Sequence, residues 1–133
     1  MGAARGGGYT GMDSPRPPVL LVLLLACGPK VVTDTITDDG SVCVNDAGEV
    51  EVTFETCLSS SCDTVVSAEC SATYADDVVE VHATAVIDRE QGECTSDCGY
   101  VTVTCAMPEG VPDTATFSFG GESTPLDAAC EPF

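Results

Sequence analysis

The chain has 133 residues, enough for one domain, and carries 4 Lys+Arg against 22 Asp+Glu for a formal net charge of −18. A surface of that sign repels phosphate backbones and anionic headgroups, which argues against nucleic-acid binding. It fits either a solubilising face or the docking of a basic partner or cation. Aromatics make up only 5% and Trp is absent, so any core is thin, while nine cysteines in so short a chain point to an oxidising compartment.

In chain order, the first element is an export segment. Val19 to Ala26 form an apolar run, preceded by Arg5 and Arg16 and free of acids. It is far shorter than the roughly 20 residues that a membrane-spanning helix needs. Residues 1–11 are Gly-rich and unlike a signal, which leaves Met12 as an alternative start. The run ends in Leu24-Leu25-Ala26-Cys27, followed by Gly28-Pro29. These residues resemble the lipobox of bacterial lipoproteins. The resemblance covers residues 1–27. It implies a signal peptide over 1–26, cleavage before Cys27, a diacylglycerol on the Cys27 sulfur and an acylated new N-terminus. The chain is then expected in the cell envelope, held to a membrane by lipid. An ordinary secretion signal is the alternative.

Removing residues 1–26 takes away Arg5, Arg16 and Asp13 and leaves 107 residues with 2 bases against 21 acids, a formal charge of −19. Residues 27–40 follow as the lipidated cysteine and an acidic tether, because Asp34, Asp38, Asp39 and Gly40 interrupt any helical period. The domain proper is expected over 41–133.

From Ser41 onward the apolar residues alternate with period two. Val42–Val44 make a short run. Val50, Val52 and Phe54 make one face. Val66, Ala68, Cys70, Ala72 and Tyr74 make another, as do Val79, Val81, Ala83, Ala85 and Ile87. Val101, Val103 and Cys105, then Ala115, Phe117 and Phe119, complete the set. Turn signals such as Asp76-Asp77 and Gly120-Gly121 separate the runs. The expected fold is all-β: a small disulfide-rich antiparallel β-sandwich of the immunoglobulin-like kind, with a small β-barrel as the alternative.

Setting Cys27 aside leaves eight cysteines for disulfides: Cys43, Cys57, Cys62, Cys70, Cys94, Cys98, Cys105 and Cys130. Cys70 and Cys105 lie on apolar strand faces and are expected to meet across the core. Cys57 with Cys62 and Cys94 with Cys98 would then close local loops, and Cys43 with Cys130 would tie the ends. Cross-pairing between the two outer pairs is the rival. The exported part also resembles Cys-rich bacterial lipoproteins in its Cys-x3-Cys-Gly cluster at Cys94, Cys98 and Gly99, a resemblance that lends no site residues.

The chemistry on offer is sparse. His82 is the single histidine, expected on the polar face of its strand with Glu80 and Thr84. It reads as a structural residue, with a general base as the alternative, since no Gly-x-Ser-x-Gly nucleophile motif accompanies it. The cysteine spacings are wider than zinc sites prefer, and no Cys-x-x-Cys is present. Neither a metal nor a cofactor is therefore expected. Asp34, Asp38, Asp39, Asp46 and Glu49 read as tether and turn acids, with weak calcium ligation as the alternative. Ser59-Ser60-Ser61 reads as a turn, or as a presented loop. The expectation that results is a non-catalytic binding or structural module of the cell envelope with an unknown protein or other envelope partner. The alternatives are an inhibitor of secreted hydrolases that presents a disulfide-framed loop, and a hydrolase using His82.

Overall fold

In the computed structural model, residues 30–131 are described together with Gly2 and Gly28. Eight strands follow one another: β1 Val31–Thr37, β2 Ser41–Val44, β3 Val50–Thr53, β4 Asp63–Ala75, β5 Val78–Glu90, β6 Thr102–Cys105, β7 Thr116–Phe119 and β8 Glu122–Pro125. The described residues contain no helix, and therefore none long and apolar enough to cross a membrane. The strands form two open sheets rather than a closed barrel. In the large sheet β4 and β1 flank β5, and β7 and β8 extend it at the end of β5 that begins with Val78. The small sheet runs β2-β3-β6.

The core lies between the sheets because each strand alternates. Val79, Val81, Ala83, Ala85 and Ile87 of β5 face Val50, Val52 and Phe54, and Phe117 and Phe119 of β7 close one end. Burying each of these larger side chains is worth about 1.5–3 kcal/mol. This is the sandwich that the period-two pattern predicts. One pair departs from an all-antiparallel arrangement. β5 and β7 run parallel over Val78–Glu80 and Thr116–Ser118.

Three sequence expectations are corrected. The acidic segment before Ser41 is not a free tether. Val31–Thr37 forms β1, and all seven residues pair with Thr84–Glu90 of β5. Its β-branched residues suit a strand, and Ile36 reaches the core, while Asp34, Thr33 and Thr35 remain exposed. The domain therefore begins about ten residues earlier than expected. Val66 does not join the inward face of β4. A bulge between Val65 and Ser67 shifts the alternation, so Val66 is 57% exposed while Ala68, Cys70, Ala72 and Tyr74 still pack on the core.

The third correction concerns the disulfides. The bonds are Cys43–Cys130, Cys57–Cys98, Cys62–Cys94 and Cys70–Cys105. The inter-sheet bond and the bond to Cys130 are those expected. The two local loops are not, and the cross-paired rival is realised. Leu58 and Gly99 exchange backbone hydrogen bonds of 2.9 and 2.8 Å, which lays the 57–62 and 94–98 loops side by side. Each cysteine then meets one on the opposite loop, with Cα separations of 5.0 and 5.6 Å.

Tight turns set the ends of the large sheet. Asp76 and Asp77 both have positive φ, as a two-residue hairpin turn between β4 and β5 requires. Gly40, at φ 122°, packs its backbone onto β3 so closely that a Cβ would lie 2.0 Å from the Thr53 carbonyl oxygen.

Candidate functional site

The side chains that could hold a ligand gather where the β1–β2 turn, β5 and the β7–β8 turn meet. Asp38 follows β1 in a left-handed conformation, φ 48°. Its backbone N–H donates to the Ala83 carbonyl at 2.9 Å, and its Oδ1 accepts from the Ala83 N–H at 2.8 Å. That double contact holds the carboxylate in place. Its Oδ2 is 3.1 Å from His82 Nδ1. On the other side of the ring, His82 Nε2 is 3.3 Å from Glu80 Oε1. Glu80 and His82 share the outer face because strand side chains two apart point the same way. The hydrogen bond to Asp38 is the main reason the His82 pKa lies above the ordinary imidazole value. The charges of Asp38 and Glu80 add to it, and partial desolvation opposes it.

A concave space of about 510 Å³ opens here, bordered by Asp38, Glu80, His82, Ser118, Gly120 and Gly121. Ser118 stands opposite Glu80 on β7, but no hydrogen bond joins it to the imidazole. Both ring nitrogens face carboxylates, Asp38 at Nδ1 and Glu80 at Nε2. Thr84, grouped with His82 from the sequence, lies farther along β5, opposite Thr37 and Glu69.

Among the described residues, the other acids singled out from the sequence do not gather into one site. Asp34 lies 3.8 Å from Arg89 Nε, Asp39 accepts from the Thr56 hydroxyl, and Glu49 accepts from Asn45. Asp46 sits in the turn that the Asn45 side chain closes by accepting from the N–H groups of Ala47 and Glu49. Cys43, Glu51 and Cys130 approach one another beside a groove of about 510 Å³, yet the two sulfurs are spent on their mutual bond.

Ser59-Ser60-Ser61 is not a slack turn. The Ser59 hydroxyl lies 2.9 Å from the Thr95 carbonyl, and the Ser61 hydroxyl accepts from the Thr95 N–H at 2.8 Å. Asp97 accepts from the Ser60 N–H and the Thr95 hydroxyl, and hydrogen bonding by the Ser60 side chain first, then that of Thr95, holds its carboxyl below the ordinary value. The two disulfides and this network make one rigid knob. It adjoins the far end of β5, where the Glu90 N–H donates to the Cys62 carbonyl.

Cys27 lies outside the described residues, whereas the other eight cysteines are all bonded to one another. Sequence reasoning missed Asp38 as a partner of His82, because 44 residues separate them. It also passed over Arg89, which reaches toward Asp34 and Asp63 from the middle strand. Compared with protein-family models, curated proteins and solved structures, the chain matches none.

Proposed function

We propose that the chain is an exported lipoprotein, anchored to a membrane through lipid on Cys27, and that its domain is a non-catalytic binding or structural module of the cell envelope. The observation that carries the reading is cysteine pairing. Four intrachain bonds use eight of the nine cysteines and leave Cys27, at the end of the apolar run, without a thiol partner in its own chain. A thiol kept out of the disulfide set is what lipid attachment requires.

The early start of β1 gives this anchor a consequence. Only Gly28, Pro29 and Lys30 separate Cys27 from Val31, so the two lie within about 14 Å of each other at full extension. A lipid on Cys27 then keeps the domain close to the bilayer, with the β1 start and the neighbouring disulfide knob on the membrane side. His82 lies eight residues back along β5 from Glu90, about 27 Å away toward the opposite end. The end carrying Asp38, Glu80 and His82 is the one offered to partners. This arrangement disfavours the inhibitor reading, whose loop would face the anchor.

Growth with an alkyne fatty acid tests the reading. Label is expected on the wild type and absent from Cys27→Ser, which leaves the membrane fraction. Equal label on both proteins refutes it.

A further inference from the structure

We propose that Glu80 and His82 bind a borderline divalent transition ion of the Zn2+ class, with Asp38 as the positioning residue that orients the imidazole. The inference does not depend on lipid attachment.

The geometry is that of a carboxylate–histidine–metal arrangement with the ion to be added. A histidine ligand commonly donates its second ring N–H to a carboxylate, which selects the tautomer and aims the other nitrogen. Asp38 occupies that position at 3.1 Å from Nδ1. It is unusually well held for a surface residue, bonded through its backbone N–H and its Oδ1 to Ala83. The Gly120 backbone packs against it so closely that a Cβ there would lie 2.6 Å from the Asp38 carbonyl oxygen. With the Nδ1 proton donated to Asp38, Nε2 is the nitrogen left for an ion, which would replace the proton it shares with Glu80.

The second observation is a distance. His82 Nε2 and Glu80 Oε1 are 3.3 Å apart. Two donors bound tetrahedrally at about 2.0–2.1 Å from one zinc ion stand roughly 3.3 Å from each other. The pair is thus already spaced for one ion. The concave space of about 510 Å³ leaves room for water to complete the shell, and Ser118 borders it from the adjacent strand.

The donor set favours the ion class. One imidazole with one carboxylate suits Zn2+, Cu2+ or Ni2+, whereas Ca2+ and Mg2+ prefer all-oxygen shells. The net charge of −18 raises the local concentration of any cation, and the histidine supplies the selectivity.

Calorimetric titration of the disulfide-bonded chain with Zn2+ tests the proposal. One Zn2+ per chain is expected, with a shift of the His82 Nε2 resonance, and a hundredfold excess of Ca2+ should not displace it. His82→Ala should abolish that binding, and Asp38→Asn should weaken it by about 10–100-fold. Asparagine keeps the shape and tolerates left-handed backbone, and matched melting curves will show that the turn survives. If they do not match, Glu80→Gln, at a side chain 61% exposed, reads the same site without touching the turn. Zn2+ binding that survives His82→Ala, or that Ca2+ displaces, overturns the proposal and leaves only diffuse attraction to an acidic surface.

Discussion

Cys70 of β4 and Cys105 of β6, both half-buried against the core, join edge strands of the two sheets, their Cα atoms 5.4 Å apart. No strand ladder links the large sheet to the small one, so this bond adds a direct covalent tie to the side-chain packing between them. Closing a loop of this length contributes about 4 kcal/mol on the chain-entropy account. The double variant Cys70→Ala/Cys105→Ala is expected to lose about 3–4 kcal/mol in denaturant unfolding. Excess reductant, which opens all four bonds, should unfold the domain at ambient temperature. An unchanged melting curve in reductant refutes the expectation.

Phe117 is wholly buried on β7, the strand that pairs in parallel with β5. Phe117→Ala leaves a cavity that a core with so few aromatic residues cannot refill. The expected cost is about 3–5 kcal/mol. Chemical denaturation monitored by far-ultraviolet circular dichroism checks it, and a loss under 1 kcal/mol would mean that the two sheets close over the gap.

Gly40→Ala meets two obstacles at once. The backbone sits at φ 122°, and a Cβ would lie 2.0 Å from the Thr53 carbonyl oxygen and 2.9 Å from the Glu55 nitrogen. Gly48, at φ 77°, has open space around it, so Gly48→Ala carries only backbone strain. Strain of that kind costs about 1–3 kcal/mol. Gly40→Ala is expected to melt well below Gly48→Ala, and equal melting temperatures would show that the β1–β2 turn can move away from β3.

His82 should lose its contribution to stability as pH rises. Pairing with Asp38 first, and also the charge of Glu80, raises its folded pKa above the unfolded value of about 6.5. The folded protein therefore holds the proton more tightly. The stabilisation is complete below about pH 6.5 and disappears as pH climbs through the higher folded pKa. In the presence of a chelator, the melting temperature of the wild type is expected to fall over that window. His82→Gln should show a flatter profile, and parallel profiles would mean that the ion pairs contribute nothing on this exposed face.

Asp97 should behave in the opposite sense. Hydrogen bonds from Ser60 and then Thr95 lower its folded pKa, so its contribution is present above the unfolded carboxylate value and is lost as pH falls through the folded one. Asp97→Asn is expected to blunt the acid side of the stability curve and to raise amide exchange at Ser60 and Thr95. Unchanged exchange at both would remove Asp97 from the knob's network.

What the sequence determined by itself is local. The alternation of Val79 to Ile87 shows which face of β5 is buried, because a strand can hide only one side in a two-layer fold. The same rule placed Cys70 and Cys105 on inward faces and so anticipated their bond. Asp76-Asp77 and Gly120-Gly121 announce turns through their tolerance of positive φ. Tertiary structure decided the rest. Acids made Val31–Thr37 look like a tether, and only the free edge of β5 turned it into a strand. The Val65 bulge, which exposes Val66, is set by pairing with β5 and leaves no mark on composition. Cys57 and Cys62 are close in sequence, yet the Leu58–Gly99 bridge gives each a partner from the other loop. Asp38 meets His82 for the same reason: β1 returns along β5 in antiparallel register and brings together two residues that no local pattern connects.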